Sequence, residues 1–346
     1  MKIAIDKDSI NINKKDNNEY IYLFDNESLD DLLKTNLHCI YYENCEYADI
    51  NLTKYNIDCL KQTTIDDKHY DTIEFKDYKI GIIIPNFNYD HTLDKCFNSI
   101  FSQTYTNYEI IFVDDVSTDR SIEIAKYYKE KFKEIIGDNF KIVQLKQKRY
   151  NGGARNEGYL HLSDDVDYVW YVDSDDWLFD EYSLEKINRK LQTGPDVLFV
   201  GLASCKNGKM NENCRIPRYK DKYEAIKGWS GSSGKVIKKE LATRQECLYN
   251  EGTLKEDRNQ HCKICIYMNR FEVLSKPVYV WNQSNYKSVT TIRDKIFWGT
   301  STIRHYADTL QLYLSVKGKD PKIDKYLEER VKNTKQEMEK GGDQQW

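Results

Sequence analysis

The sequence predicts an α/β fold: a mostly parallel sheet flanked by helices, with a small α/β stretch before it and helices after it. Three observations predict this. From residue 79 onward, apolar runs of strand length alternate with amphipathic runs of helix length. The runs KIGIIIP (79–85), YEIIFV (108–113) and YVWYV (168–172) are apolar but for Lys79 and Glu109, as in strands buried on both faces. Each run ends in polar residues: Asn86, then Asp114-Asp115, then Asp173-Ser174-Asp175-Asp176. Parallel sheets gather their ligands at such carboxyl ends.

The elements follow in order. Residues 1–78 hold 9 Lys+Arg against 17 Asp+Glu, whereas the rest holds 43 against 39, so the composition breaks near residue 78. This first stretch shows β-like runs at 2–5, 20–24 and 39–42 and a helix-like run at 28–34, but no catalytic signature. It reads as a packing or assembly module. Pro85 stops the next strand, because its ring fixes φ and removes a donor. Helical spacing of Leu93, Phe97, Ile100 and Phe101 predicts a helix over 91–103. After strand 108–113, Ser117 or Thr118 can cap a helix with Asp119 in its first turn. Further strands are expected at 141–145, 168–172 and 196–200, and a helix at 153–162. Residues 201–233 read as loop, 257–269 as helix and 276–281 as strand. Two closing helices, 294–316 and 321–340, precede a tail expected to be disordered. The organisation is therefore 1–78, 79–291 and 292–346, and the last helices offer a surface for oligomerisation.

Bulk properties narrow the class. The chain has 346 residues, 40% hydrophobic and 31% charged, with net charge −4. That balance does not suit a general nucleic-acid binder. No apolar run reaches the roughly 20 residues of a membrane span. The start, MKIAIDKDSI, lacks the apolar core of a signal peptide, so a cytoplasmic protein is expected. The nine cysteines are then reduced thiols, and the single CxxC, Cys262 to Cys265, reads as core packing. The 27 tyrosines, with abundant Asn, Lys and Ile, suggest AT-rich coding.

Four polar clusters carry chemistry. Asp173 and Asp175, spaced D-x-D at a strand end, can place two carboxylates on Mg²⁺ or Mn²⁺; alternatively Asp175 and Asp176 cap the next helix. In VDDVSTD (113–119), Asp114 or Asp115 can accept the N–H of a pyrimidine base, or serve a capping loop. RYNGGARNEG (149–158) brings Asn151, Arg155 and Asn156 to a helix start, a setting that suits a diphosphate. It is neither a Walker loop nor GxGxxG. Glu256-Asp257 precedes a helix and offers a general base, or an acidic first turn.

KIGIIIPNFN, FSQTYTNYEIIFVDDVSTD, NGGARNEG, YVWYVDSDD and EDRNQ followed by KPVYVWNQS, in this order, resemble the family-2 inverting glycosyltransferases of the Rossmann-like GT-A fold. The resemblance covers about 79–291. It implies a nucleotide-sugar donor, most simply a UDP-sugar, and Mn²⁺ or Mg²⁺ on Asp173 and Asp175. It implies that Pro85, Asn86 and Asn88 line the base pocket, with Asp114 or Asp115 contacting the base. Asn151, Arg155, Asn156, Asp173 and Ser174 would lie along the donor, and Asp257 would be the catalytic base. Ser233 and Val236 depart from the family's pattern around Lys235, and Gln260 stands where the family often has Phe. The acceptor would be a hydroxyl of a glycan or cell-surface polymer. A DNA acceptor is a second reading, encouraged by the AT-rich bias. A nucleotidylyltransferase would carry a basic Gly-rich loop after the first strand, where Pro85-Asn86-Phe87-Asn88 stands. A degenerate nucleotide-sugar-binding module would not need the intact DSDD and ED elements.

Overall fold

The computed structural model describes residues 76–253, 255–284 and 299–340 in full, and before and between them five strands and the backbone of 295–298. The early strands β1 (Lys2–Ile5), β2 (Tyr20–Leu23), β3 (Cys39–Tyr42), β4 (Leu60–Ile65) and β5 (Lys68–Glu74) form one sheet in the order β2-β1-β3-β5-β4. The expected strands are present, and β4 and β5 add an antiparallel hairpin. The helix expected over 28–34 and the tail 341–346 lie outside the described residues.

The main sheet contains β6 (Ile80–Asn86), β7 (Tyr108–Asp114), β8 (Phe140–Gln144), β9 (Tyr168–Tyr171), β10 (Trp177–Leu178), β11 (Val197–Lys206), β12 (Lys209–Arg215), β13 (Lys235–Lys238) and β14 (Phe271–Asn282). Its order is β10-β14-β11-β13-β9-β6-β7-β8, with β12 on β11. β9, β6, β7 and β8 run parallel, as do β11 and β14, while β13 runs antiparallel between β9 and β11.

Both faces of the parallel core are covered. Ile82 and Ile84 face Phe97 and Phe140 beneath helices α1 (Asp90–Phe101) and α2 (Ser121–Lys131). Ile83 and Val113 face the layer that includes α3 (Tyr150–Leu160) and α5 (Glu256–Tyr267). The alternation along β6 is the two-residue pleat of a strand. α3 lies close on the sheet: a Cβ at Gly158 would come within 2.5 Å of Ile83. The helix α4 (Ser183–Leu191) holds the incoming chain, since Asn188 accepts from Tyr78 N at 3.2 Å. Gln192, just past that helix, accepts from Lys76 N at 2.8 Å.

The closing helices α6 (Lys295–Val316) and α7 (Pro321–Glu339) do not form a core of their own. Leu312, Val316, Ile323 and Leu327 share one apolar cluster with Cys262 and Cys265 of α5. The CxxC is thus core packing, with both thiols buried and their pKa raised by burial.

Three local expectations change. The second helix starts at Ser121, and Ser117 instead accepts from Asn88 N (2.9 Å) and Asn86 Nδ2 (3.1 Å). The third starts at Tyr150, three residues early, because Asp115 accepts from the N–H groups of Arg149 (2.7 Å) and Tyr150 (2.8 Å). Free N–H groups at a helix start need such an acceptor. Residues 201–233, expected as loop, include the β11–β12 hairpin, turning at Asn207 (φ 51°) and Gly208 (φ 77°).

Candidate active site

The carboxyl ends of β6, β7 and β9 bring the sequence clusters to one edge. Backbone strain collects there too. Of the four non-glycine residues with positive φ among the described residues, Asn88 (58°), Val116 (65°) and Tyr150 (60°) lie at this edge. For a β-branched valine this conformation is strained, and such strain tends to persist at functional sites.

Asn86 and Asp114 are each 2% exposed, and Asn86 Nδ2 donates to Asp114 Oδ1 at 3.0 Å. Asp114 Oδ2 accepts from Ser117 N at 2.9 Å. Asn88 Oδ1 accepts from Thr118 N at 2.8 Å. The two loops are thereby clamped to each other beside Pro85. Asn86 Oδ1 is buried with no hydrogen-bond partner, which leaves it available to a donor group of a ligand. Asp115 is also 2% exposed and meets Lys148 Nζ at 3.2 Å besides the two α3 N–H groups. The N–H groups of Arg149 and Tyr150, at the helix start expected to suit a diphosphate, are thus taken by Asp115. Lys148 lies over the ring of Phe87, and burial lowers its pKa.

Arg155 is the hub of the edge. It is 3% exposed and donates from Nη2 to Asp173 Oδ1 at 2.8 Å and from Nη1 to Glu256 Oε1 at 2.9 Å. It therefore ties the end of β9 to the start of α5. Both outer nitrogens are taken, so the guanidinium positions carboxylates. Asn156 does a similar job, donating to Tyr249 O (3.0 Å) and accepting from Tyr249 N (2.9 Å). Asn151 sits half-buried in the first turn of α3.

The run 173–176, one residue beyond β9, divides. Asp176 turns inward, accepting from Tyr279 Oη (2.6 Å) and Asn282 N (2.7 Å). Burial, with Asp175 and Asp173 nearby, pushes its pKa well up. Ser174 is 1% exposed, and its hydroxyl has no partner. Asp173 remains 31% exposed, with one oxygen on Arg155. Asp175 is half-buried, and its carbonyl accepts from Asn282 Nδ2 at 3.0 Å.

Asp257 follows Glu256 in the first turn of α5. Burial pushes its pKa up; Asp173 reinforces that, while Arg155 and Lys235 oppose it. A carboxyl whose pKa is raised by burial is better suited to proton transfer. Burial, then Asp257, push Glu256 up to about 8 against the pull of Arg155. Lys235 is wholly buried, donates to Ser230 O (2.9 Å) and Gly231 O (2.8 Å), and falls to about 8 through desolvation. Glu256, Lys235 and Tyr279 all lie within the sequence motifs, Glu256 as one of two candidate bases, but their roles as partner of Arg155, buried cation and clamp on Asp176 rest on contacts that spacing does not show.

No group of three or more His, Cys, Asp and Glu side chains among the described residues is arranged to hold a metal. Two carboxylates, Asp173 and Asp175, stand at the strand end. Mg²⁺ or Mn²⁺ commonly takes one or two carboxylates and completes its shell with phosphate oxygens and water, so the residues present fit such an ion.

The arrangement defines a class: an α/β protein with acidic and basic side chains gathered at the carboxyl edge of its sheet. Residues 81–246 match the model of the family described as Glycosyl transferase family 2. This stretch, just under half of the chain, is similar to the family-2 glycosyltransferases, and the fold is of the GT-A type. It is 39% identical over 116 residues to Glycosyltransferase GlyA of Streptococcus pneumoniae serotype 4, covering 33% of this chain and 15% of that protein. It is 31% identical over 121 residues to a poly(ribitol-phosphate) beta-glucosyltransferase of Bacillus spizizenii, covering 34% and 18%. The match thus spans well under half the length of these relatives. Among solved structures, Staphylococcus aureus TarS 1-349 in complex with UDP-GlcNAc superposes with TM-score 0.56 at 22% identity, over 67% of this chain and 66% of that one. A mannosyltransferase from Pyrobaculum calidifontis in complex with GDP-Man and Mn²⁺ gives 0.52 at 16%, over 76% and 72%.

Proposed function

We propose that the chain transfers a sugar from a UDP-sugar to a hydroxyl of a glycan or cell-surface polymer, with inversion, and that Asp257 is the base. The observation that carries this is Arg155 spanning Asp173 and Glu256, which sets the D-x-D pair and the start of α5 side by side. A similar fold with UDP-GlcNAc, and relatives named for poly(ribitol-phosphate), support the donor and acceptor classes.

Asp257 takes the proton of the acceptor hydroxyl. The hydroxyl oxygen uses its lone pair to bond the anomeric carbon, and the bond from that carbon to the diphosphate breaks, its electron pair leaving on phosphate oxygen. Attack from the opposite face inverts the centre. A divalent cation held by Asp173 and Asp175 would supply positive charge where the leaving diphosphate becomes more negative. Asn86, with its orphaned Oδ1, and Asp114 line the base pocket with Pro85 and Asn88, and Arg155 holds Asp173 in place.

Mass spectrometry of products from a panel of nucleotide sugars and acceptors, with and without Mn²⁺, tests the reading. Asp257→Asn should lower transfer at least roughly 10²-fold, as expected on losing a general base, with UDP affinity near normal. Glu256→Gln should be milder, because that side chain is turned to Arg155. A fully active Asp257→Asn enzyme would place the base elsewhere.

A further inference from the structure

We propose that a cavity beside the start of α5 seats an anionic group of the acceptor, a phosphate or carboxylate carried by the glycan or polyol chain; this rests on the glycosyl-transfer reading above. The cavity is about 530 Å³ and is lined by Arg215, Lys227 and Arg258 together with Phe199, Tyr219 and Trp229. No acidic side chain lines it, although the chain as a whole carries 56 acidic against 52 basic residues.

The three cations are unspent. Arg215 and Lys227 are exposed and Arg258 is half-buried. Among the described residues, none of the three pairs with a carboxylate. Arg258 Nη1 donates to Gly228 O at 2.8 Å, and Arg215 Nη1 to Cys214 O at 3.5 Å. Backbone carbonyls leave the positive charge uncancelled, so it is available to an anion. The aromatic side chains give apolar walls against which a sugar or polyol carbon chain can lie.

Position assigns the cavity to the acceptor. Arg258 follows Asp257 directly in the first turn of α5. The wall residues Trp229 and Gly234 lead into Lys235, whose charge Asp257 feels. Asn86, Asp114, Asp173 and Asp175 do not line it. An acceptor anchored here by its negative group would present a neighbouring hydroxyl towards the base.

The test uses the full chain and the variant R215E/K227E, two exposed positions outside the transfer machinery. Calorimetry measures binding of a poly(ribitol-phosphate) oligomer, a glucuronate-bearing oligosaccharide and a neutral oligosaccharide. Hydrolysis of UDP-sugar without acceptor reports the donor side. The wild type should bind one anionic probe at least about tenfold more tightly than the neutral one, and the preference should fade between about 0.05 and about 0.5 M salt. The variant should lose the preference and keep donor hydrolysis. The anionic probe that binds tells phosphate from carboxylate. Equal binding of all three probes, an unchanged preference in the variant, or loss of donor hydrolysis in it would overturn the proposal. A wild type that binds an anionic probe in this charge-dependent way but handles no UDP-sugar would sink the glycosyl-transfer reading and leave the anion site standing.

Discussion

Replacing Arg155 by methionine should destabilise the protein by about 3–5 kcal/mol, the range for removing one partner of a buried ion pair. The structure sets where in that range the effect falls. Arg155 is 3% exposed, and the Glu256 side chain it holds at 2.9 Å is 4% exposed, so that carboxylate would be left desolvated and alone. The Asp173 partner is 31% exposed and can turn to water, so its contact adds little. Glu256 is already pushed up to about 8 and can take a proton, which draws the loss towards the lower end. The same logic predicts non-additivity. Glu256→Gln removes the stranded charge, so the double variant should recover about 1–3 kcal/mol relative to the sum of the single losses. Urea unfolding of the four proteins in EDTA, compared at equal m-value, gives these numbers. A single-variant loss below about 1 kcal/mol, or additivity within about 0.5 kcal/mol, would refute the view that Arg155 is the electrostatic hub of the edge.

Asp175→Asn should abolish the divalent-dependent part of UDP affinity while leaving unfolding midpoints unchanged; titration of UDP with and without Mn²⁺ checks it, and unchanged metal-dependent affinity would remove Asp175 from the cation site. His261 and His305 are buried, the first held well below its usual pKa and the second at about 3, both through desolvation first and nearby cations second. Their folded pKa is depressed, so the unfolded chain binds more protons below pH 6.5, and stability should fall as pH drops through that value, by about 2 kcal/mol for the pair between pH 6.5 and 5.5; denaturation of wild type and His305→Asn at both pH values should show a smaller loss in the variant. A chain lacking residues 1–75 should keep donor hydrolysis, because the five motifs lie beyond it and the tethers of Lys76 and Tyr78 to the α4 region survive the cut; a folded truncation without UDP binding would show that the prefix builds part of the site.

What could be read from the sequence depended on whether the determining interaction was local. β6, β7 and β9 were legible because strands buried on both faces are apolar along nearly all their length, buried Glu109 being an exception within β7. The hairpin partner β12 was not, because KMNENCR is exposed along nearly its whole length and lacks alternation. Its turn was nevertheless marked by Asn207-Gly208, a pair suited to two positive φ values. The start of α3 depends on a carboxylate 34 residues away, and the partner of Arg155 lies 101 residues away. Spacing alone could place both residues near the edge, but it could not tell that Asp115 clamps a helix or that Arg155 serves two acids at once.

The run Asp173-Ser174-Asp175-Asp176 concentrates negative charge that must be balanced, and the fold balances it in separate ways. Asp176 points into the protein, where a tyrosine hydroxyl and a backbone N–H receive it, so it is spent on fixing β14. Asp173 gives one oxygen to Arg155. Around that guanidinium, Asp173, Glu256 and Asp257 face two buried cations among the described residues, Arg155 and Lys235. One negative charge is left over, and a proton on Glu256 is the cheapest compensation the protein can supply by itself. On the proposed reading, a cation arriving with a nucleotide diphosphate would change that balance, because Asp173 and Asp175 would hold it and part of the positive charge on Arg155 would be freed for Glu256. On this argument the pKa of Glu256 should fall when UDP and Mn²⁺ bind together, and UDP–Mn²⁺ binding between pH 6 and 8 should release a proton measurable as buffer-dependent heat. The Glu256→Gln variant should bind UDP–Mn²⁺ with that proton release removed, and an unchanged release would assign the proton to another group.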